Sequence, residues 1–192
     1  MGAMINQSNR VMLDAIQQAI VKNYIPADQF TMIATNTHGK TGEISCRICT
    51  SKNEQILLCN FDQEGENYRL FPYFQEKQGL VSMCDYILFV EYDDIMFIFL
   101  IELKDSAHHS KKQTIISQTF AEFLINRIQA ISDEACFSKP VEFRKIGIKS
   151  GCSKMTTKGY ATLTYDRDGY TVLPDYHKFY IKKMKNLEYS SM

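Results

Sequence analysis

Asp85, Glu102 and Lys104 are the residues of this chain whose types and spacing could do chemistry. They border two apolar, β-branched and aromatic runs that meet at Asp93-Asp94. Such a pattern predicts a β-hairpin with the two aspartates at its tip. In that register Tyr92 faces Ile95, Val90 faces Phe97 and Asp85 faces Glu102. Directly opposed residues project from one face with Cβ atoms roughly 5 Å apart, and Lys104, two positions on, joins that face. Two carboxylates this close repel, and in a partly buried site they would not both stay ionised without a cation. Mg²⁺, or Mn²⁺ in its place, suits them, because a hard ion takes oxygen ligands and keeps several waters. Such an ion polarises a phosphoryl oxygen and acidifies water, while a lysine beside it orients the attacking water and offsets charge. The competing reading is a solvated ion pair at a strand end, with Asp85 a turn residue. Against it, both strands are near-continuous apolar runs, as expected of central strands covered on both faces.

The elements around the hairpin must position these groups. Residues 6–24 carry Met12, Leu13, Ile16 and Ile20 at helical spacing, with Pro26 after the end. Thr31–Thr35, Glu43–Thr50 and Gln55–Phe61, separated by turn residues, read as an antiparallel meander. Downstream, Lys111 to about Ser132 reads as a helix whose apolar stripe is Ile116, Phe120, Phe123, Leu124 and Ile131. Val141–Lys149 reads as a further strand, and Tyr160–Thr164 with Tyr170–Leu173 as a hairpin around Asp166–Gly169. No repeat or long linker divides the chain. One domain is expected over 1–192: residues 1–3 as an expression scar, 4–80 as a helix plus β extension, and 81–192 as the core and C-terminal strands.

Asp85 followed on the opposite strand by Glu102-Leu103-Lys104 resembles the core motif of the PD-(D/E)XK, or restriction-endonuclease-like, nuclease superfamily. Glu102-Leu103-Lys104 matches the second half of that motif fully, and Cys84 stands where the first half has proline. The likeness covers roughly residues 80–150. It implies an α/β fold: a mixed central sheet carrying the motif hairpin, flanked by helices, here with an N-terminal helix and an antiparallel β extension. It also implies hydrolysis of nucleic-acid phosphodiesters, DNA before RNA. Asp85, Glu102 and the Leu103 carbonyl would bind Mg²⁺, and Lys104 would position water. A glutamine on the following helix often completes such a site. Gln113 and Gln118 are the candidates, and the spacing favours neither. The first helix offers only Asp14 as an extra carboxylate, which puts a second metal in doubt.

Composition sets bounds. Apolar residues make up 45%, ample for a core, and the net charge is zero. The first hundred residues hold seven Lys/Arg against twelve Asp/Glu, the rest fifteen against ten. A basic face toward the C-terminal half is therefore allowed, though not required. The loop 149–159 offers Lys149, Lys154 and Lys158 to a phosphate backbone. The basic-aromatic tail Lys178–Lys185 could do the same, or be an edge strand or terminal helix. His108 and His109 follow the motif lysine and read first as loop residues. No apolar run is suited to a signal peptide or membrane span, so no membrane partner is expected and the cysteines read as reduced thiols of a cytoplasmic protein. Cys46-x-x-Cys49 with Cys59 and His38 is a weak zinc candidate, since a strand would turn the first two to opposite faces. The residues are compatible with a homo-oligomer and do not require one. The rival readings are a catalytically inactive module that binds nucleic acid or protein, and an α+β interaction protein of a defence or toxin–immunity system. The neutral net charge is the best sequence argument for both.

Overall fold

The computed structural model describes residues 11–35, 43–52, 54–61, 82–104, 111–131, 139–149, 163–173 and 178–189. The fold is mixed α/β and holds two mixed sheets. Helix α1 (Val11–Ala19) leads through a 3-10 turn at Lys22–Tyr24 into β1 (Thr31–Thr35) and β2 (Glu43–Cys49). Then follow β3 (Gln55–Cys59), β4 (Tyr86–Tyr92), β5 (Ile95–Lys104), α2 (Lys111–Ile131), β6 (Val141–Lys149) and β7 (Tyr170–Leu173). Strand β8 (Lys178–Tyr180) and the short α3 (Ile181–Lys185) end the described chain's regular elements.

The larger sheet runs β3-β4-β5-β6-β7, antiparallel across its first three strands and parallel across its last three. At its centre is the predicted hairpin, with Tyr92 opposite Ile95, Val90 opposite Phe97 and Tyr86 opposite Ile101. Asp93 turns the chain at φ 48, a left-handed conformation that aspartate tolerates better than most residues. Lys139 fixes this tip: its Nζ lies 2.7 Å from Glu91 Oε1 and donates to the Asp93 carbonyl at 3.2 Å.

Alternation along the strands builds two cores. Leu57, Cys59, Ile87, Phe89, Met96, Ile98 and Leu100 meet α1 and α2 on one face. Leu58, Leu88, Val90, Phe97, Phe99 and Ile101 meet the smaller sheet on the other. Double coverage explains why these strands lack polar alternation. The smaller sheet is β1-β2-β8, and β8 lies parallel to β2. The expected meander is therefore split. Strand β3 leaves β2 and joins β4, because its apolar residues Ile56, Leu57, Leu58 and Cys59 need cover on both faces.

One further expectation is corrected. The buried face of α2 is Thr114, Ser117, Ala121, Ile125 and Ile128, while Phe123 and Ile131 are 61% and 79% exposed. Ile116, Phe120 and Leu124 are only partly buried at the margin of the core, where Phe120 meets Phe61 edge-on at 5.0 Å. Small residues face inward because the helix runs close to the 83–84 segment: Ser117 Oγ accepts the Cys84 N–H at 2.8 Å. Strand β7 pairs with β6 in parallel, and residues 160–162 of its expected hairpin partner lie outside the described residues. The turn at Asp166–Gly169 forms as expected, with the Gly169 N–H donating to the Asp166 carbonyl and the Asp166 N–H to the Tyr170 carbonyl. Gly169 takes φ +69 there, which an L side chain would strain. No described helix is long and apolar enough to cross a membrane.

Candidate active site

The β4–β5 ladder ends at Tyr86 opposite Ile101, and Asp85 continues it by one position. The Leu103 N–H, with no β4 carbonyl left to meet, donates to Asp85 Oδ2 at 2.5 Å. The carboxylate thus extends the ladder in place of main chain. In a strand the N–H and C=O of one residue point to the same side, so the Leu103 carbonyl also turns toward the Asp85 side.

Glu102 is 1% exposed and Asp85 is half-buried. By alternation Glu102 shares the helix-side face with Leu100 and Ile98. Burial pushes the Cys84 thiol well above its ordinary range, the Ser117 hydrogen bond opposes this, and the Glu102 and Asp85 charges add to the rise. Both carboxylates therefore act on one thiol. Burial also raises the Tyr170 hydroxyl, with Glu102 and then Asp166 adding to it.

Tyr170 is the residue that sequence reasoning missed. Strand β6 separates it from β5, and Glu102 stands beside Gly147, which in turn stands beside Val172. A glycine inside an otherwise well-packed strand marks a close approach by other groups. Gly147 was the available signal, and it adds no side chain between Glu102 and β7.

The other candidates separate clearly. Gln113 reaches the site's border, its Nε2 donating to the Met83 carbonyl at 3.3 Å. Gln118 is turned away and donates to Glu122 at 2.8 Å. Asp14 lies on the exposed face of α1, opposite Met12 and Ile16, and is not brought to the pair. Lys104 ends β5 in register with Lys149, the last residue of β6. Lys154, Lys158, His38, His108 and His109 lie outside the described residues. Of the zinc candidates, Cys46 sits in the core between the sheets and Cys59 in the core under the helices, so they do not meet. The tail Lys178–Lys185 is a short strand followed by a helix. Its last lysine is structural: Lys185 Nζ lies 3.0 Å from Glu54 Oε1 and 3.1 Å from the Tyr92 ring centroid.

Among the described residues no group of three or more His, Cys, Asp and Glu side chains is arranged around a common metal position. Two hard carboxylates at one strand end still fit a Mg²⁺ ion, which commonly takes one or two carboxylates and fills its shell with water. The chain matches no family model, no curated protein and no solved structure.

Proposed function

We propose that this chain is a Mg²⁺-dependent nuclease of restriction-endonuclease-like fold that hydrolyses phosphodiesters, DNA before RNA. The reading rests on one observation: the hairpin register leaves Asp85 beside the Glu102-Leu103 segment, where its Oδ2 accepts the Leu103 N–H. It also draws on the order of elements, in which the hairpin is followed by a helix packed on its sheet and by a parallel strand.

Asp85 and Glu102, with the Leu103 carbonyl, would hold the cation. When bound, it supplies a polarised phosphoryl oxygen and a more acidic water. The remaining roles fall to the chain. The Leu103 N–H holds the Asp85 carboxylate in place through Oδ2. The apolar surroundings of Glu102 exclude bulk water and strengthen every charge interaction there. Lys104 would orient the attacking water and offset the charge on the phosphoryl oxygens. Water forms one new P–O bond, one ester P–O bond breaks, and the leaving oxygen takes up a proton. Gln113, tied to the Met83 carbonyl, acts as a positioning residue for the segment that carries Asp85.

The second reading is a non-cleaving binding module on the same scaffold. It draws on the burial of Glu102, which leaves little of that carboxylate open to a substrate. Incubating the intact chain with plasmid, single-stranded DNA and RNA, in Mg²⁺ or Mn²⁺ against EDTA, separates the two. Cleavage that EDTA abolishes is the expected result. No cleavage of any substrate in either metal leaves the binding module.

A further inference from the structure

The outer face of the smaller sheet has chemistry of its own. Met32, Cys46, Ile48 and Phe179 turn inward to the core, so alternation puts Ile33, Ser45, Arg47 and Lys178 outward, and all four are exposed. Arg47 and Lys178 are register partners on the parallel strands β2 and β8. Neighbouring strands lie about 4.8 Å apart, and like charges side by side on a sheet are destabilising. Among the described residues, Asp28 stands near Arg47. It feels the Arg47 charge but accepts hydrogen bonds from the Phe30 N–H and the Thr31 hydroxyl.

Beside the two cations is an aromatic ring. Phe30 is 47% exposed, and it lines a cavity of about 460 Å³ together with Arg47, Ile48, Cys49, Thr50 and Lys178. That volume lies within the range of about 300–1,000 Å³ typical of small-ligand sites. Further along β8, Tyr180 is the register partner of Cys49 and carries Lys183 Nζ 4.8 Å over its ring. Cations and aromatic faces therefore alternate across one surface. Cations alone would suit any polyanion. An exposed ring beside them adds a stacking surface, which a duplex, with its bases already stacked, does not use.

We propose that this face binds single-stranded nucleic acid, with a base stacked on Phe30 and backbone phosphates over Arg47 and Lys178. For the class of ligand the proposal rests on the nuclease reading, and it narrows the substrate to single strands.

The test is fluorescence anisotropy of the full chain in EDTA, where no cleavage intervenes, with labelled oligonucleotides of one length. Single-stranded DNA, single-stranded RNA and duplex DNA are compared across a salt series. Single strands are expected to bind more tightly than duplex, and the DNA and RNA arms show which sugar is preferred. Phe30→Ala should weaken single-strand binding about 5- to 150-fold, the range of one base-stacking contact, with the salt slope unchanged. Phe30→Trp should restore it. Arg47→Gln with Lys178→Gln should lower the salt slope by about 1.4, at about 0.7 per phosphate contact. All three positions are exposed, so the variants should fold, which thermal melts check.

Duplex bound as tightly as single strands, no binding by the intact chain, or binding unchanged in the Phe30→Ala and double variants overturns the proposal. Metal-dependent cleavage with binding untouched by these substitutions sinks this surface and leaves the nuclease reading standing. Binding lost on substitution, in a chain that cleaves nothing, does the reverse.

Discussion

Asp85 Oδ2 accepts the N–H of Leu103 across the base of the hairpin, one position past the last main-chain pair. One side chain thus has a structural task and a proposed chemical one, and substitution can part them. Asp85→Asn keeps an oxygen for the Leu103 N–H and should leave stability within about 1 kcal/mol of the parent while abolishing cleavage. Asp85→Ala removes the acceptor as well and should cost about 1.5–3 kcal/mol, the usual range for a hydrogen bond to a charged group. Urea melts of both variants, read beside their activity, check this.

The face that α2 buries can be tested by packing. Ile125 and Ile128 lie in the core, so Ile125→Ala or Ile128→Ala should each cost about 2–5 kcal/mol. Phe123, exposed on the same helix, should change stability by no more than about 0.5 kcal/mol on truncation to alanine. A Phe123→Ala cost as large as that of Ile125→Ala in denaturant melts would mean that the helix is rotated.

That rotation shows what hydropathy alone conveys. The motif hairpin was legible because two apolar runs meet at Asp93-Asp94, and its register follows from that turn. The existence of α2 was legible too. Its orientation was not, because the helix approaches the Met83-Cys84 segment closely enough that Thr114, Ser117 and Ala121 fit where Phe123 would not. Hydrophobicity reports neither distance nor volume. The move of β3 into the larger sheet, the parallel partner of β7 and the pairing of β2 with β8 all depend on contacts far apart in sequence, as does Tyr170's place near Glu102. Local patterns do not encode such pairings. Asp85 and Glu102 were legible from the turn register, and Gln113 could be separated from Gln118 only with the helix in place.

Lys185 and Glu54 form a buried pair, 3.0 Å apart, against the Tyr92 ring. Glu54→Ala should cost about 3–5 kcal/mol, because it leaves an ammonium buried without its counter-charge. Combining it with Lys185→Met should recover most of that loss. A double variant as unstable as Glu54→Ala alone, in the same melts, would show that packing and not charge holds this corner.

Alkaline pH should destabilise the fold. Burial raises the Cys59 and Cys84 thiols above their ordinary value of 9.0, and the Tyr86 and Tyr165 hydroxyls above 10.0. Their neutral forms are favoured in the folded chain, while the unfolded chain ionises at the ordinary values. Stability is therefore full below about pH 9 and falls as the pH rises further. Urea midpoints should drop between pH 8 and pH 10.5 in the presence of reductant, and less steeply in Cys59→Ala. A flat profile would mean that these groups titrate alike in both states.

The most direct measurement is cleavage of single-stranded and duplex DNA in Mg²⁺ by the intact chain and by Glu102→Gln, Lys104→Ala and Asp85→Asn, with Mn²⁺ binding followed in parallel by electron paramagnetic resonance. The expected result is metal-dependent cleavage by the parent and loss of at least a hundredfold in each variant. Mn²⁺ affinity should fall in Asp85→Asn and Glu102→Gln but hold in Lys104→Ala. Cleavage and Mn²⁺ binding that persist at parental levels in both carboxylate variants would contradict a metal site at Asp85 and Glu102.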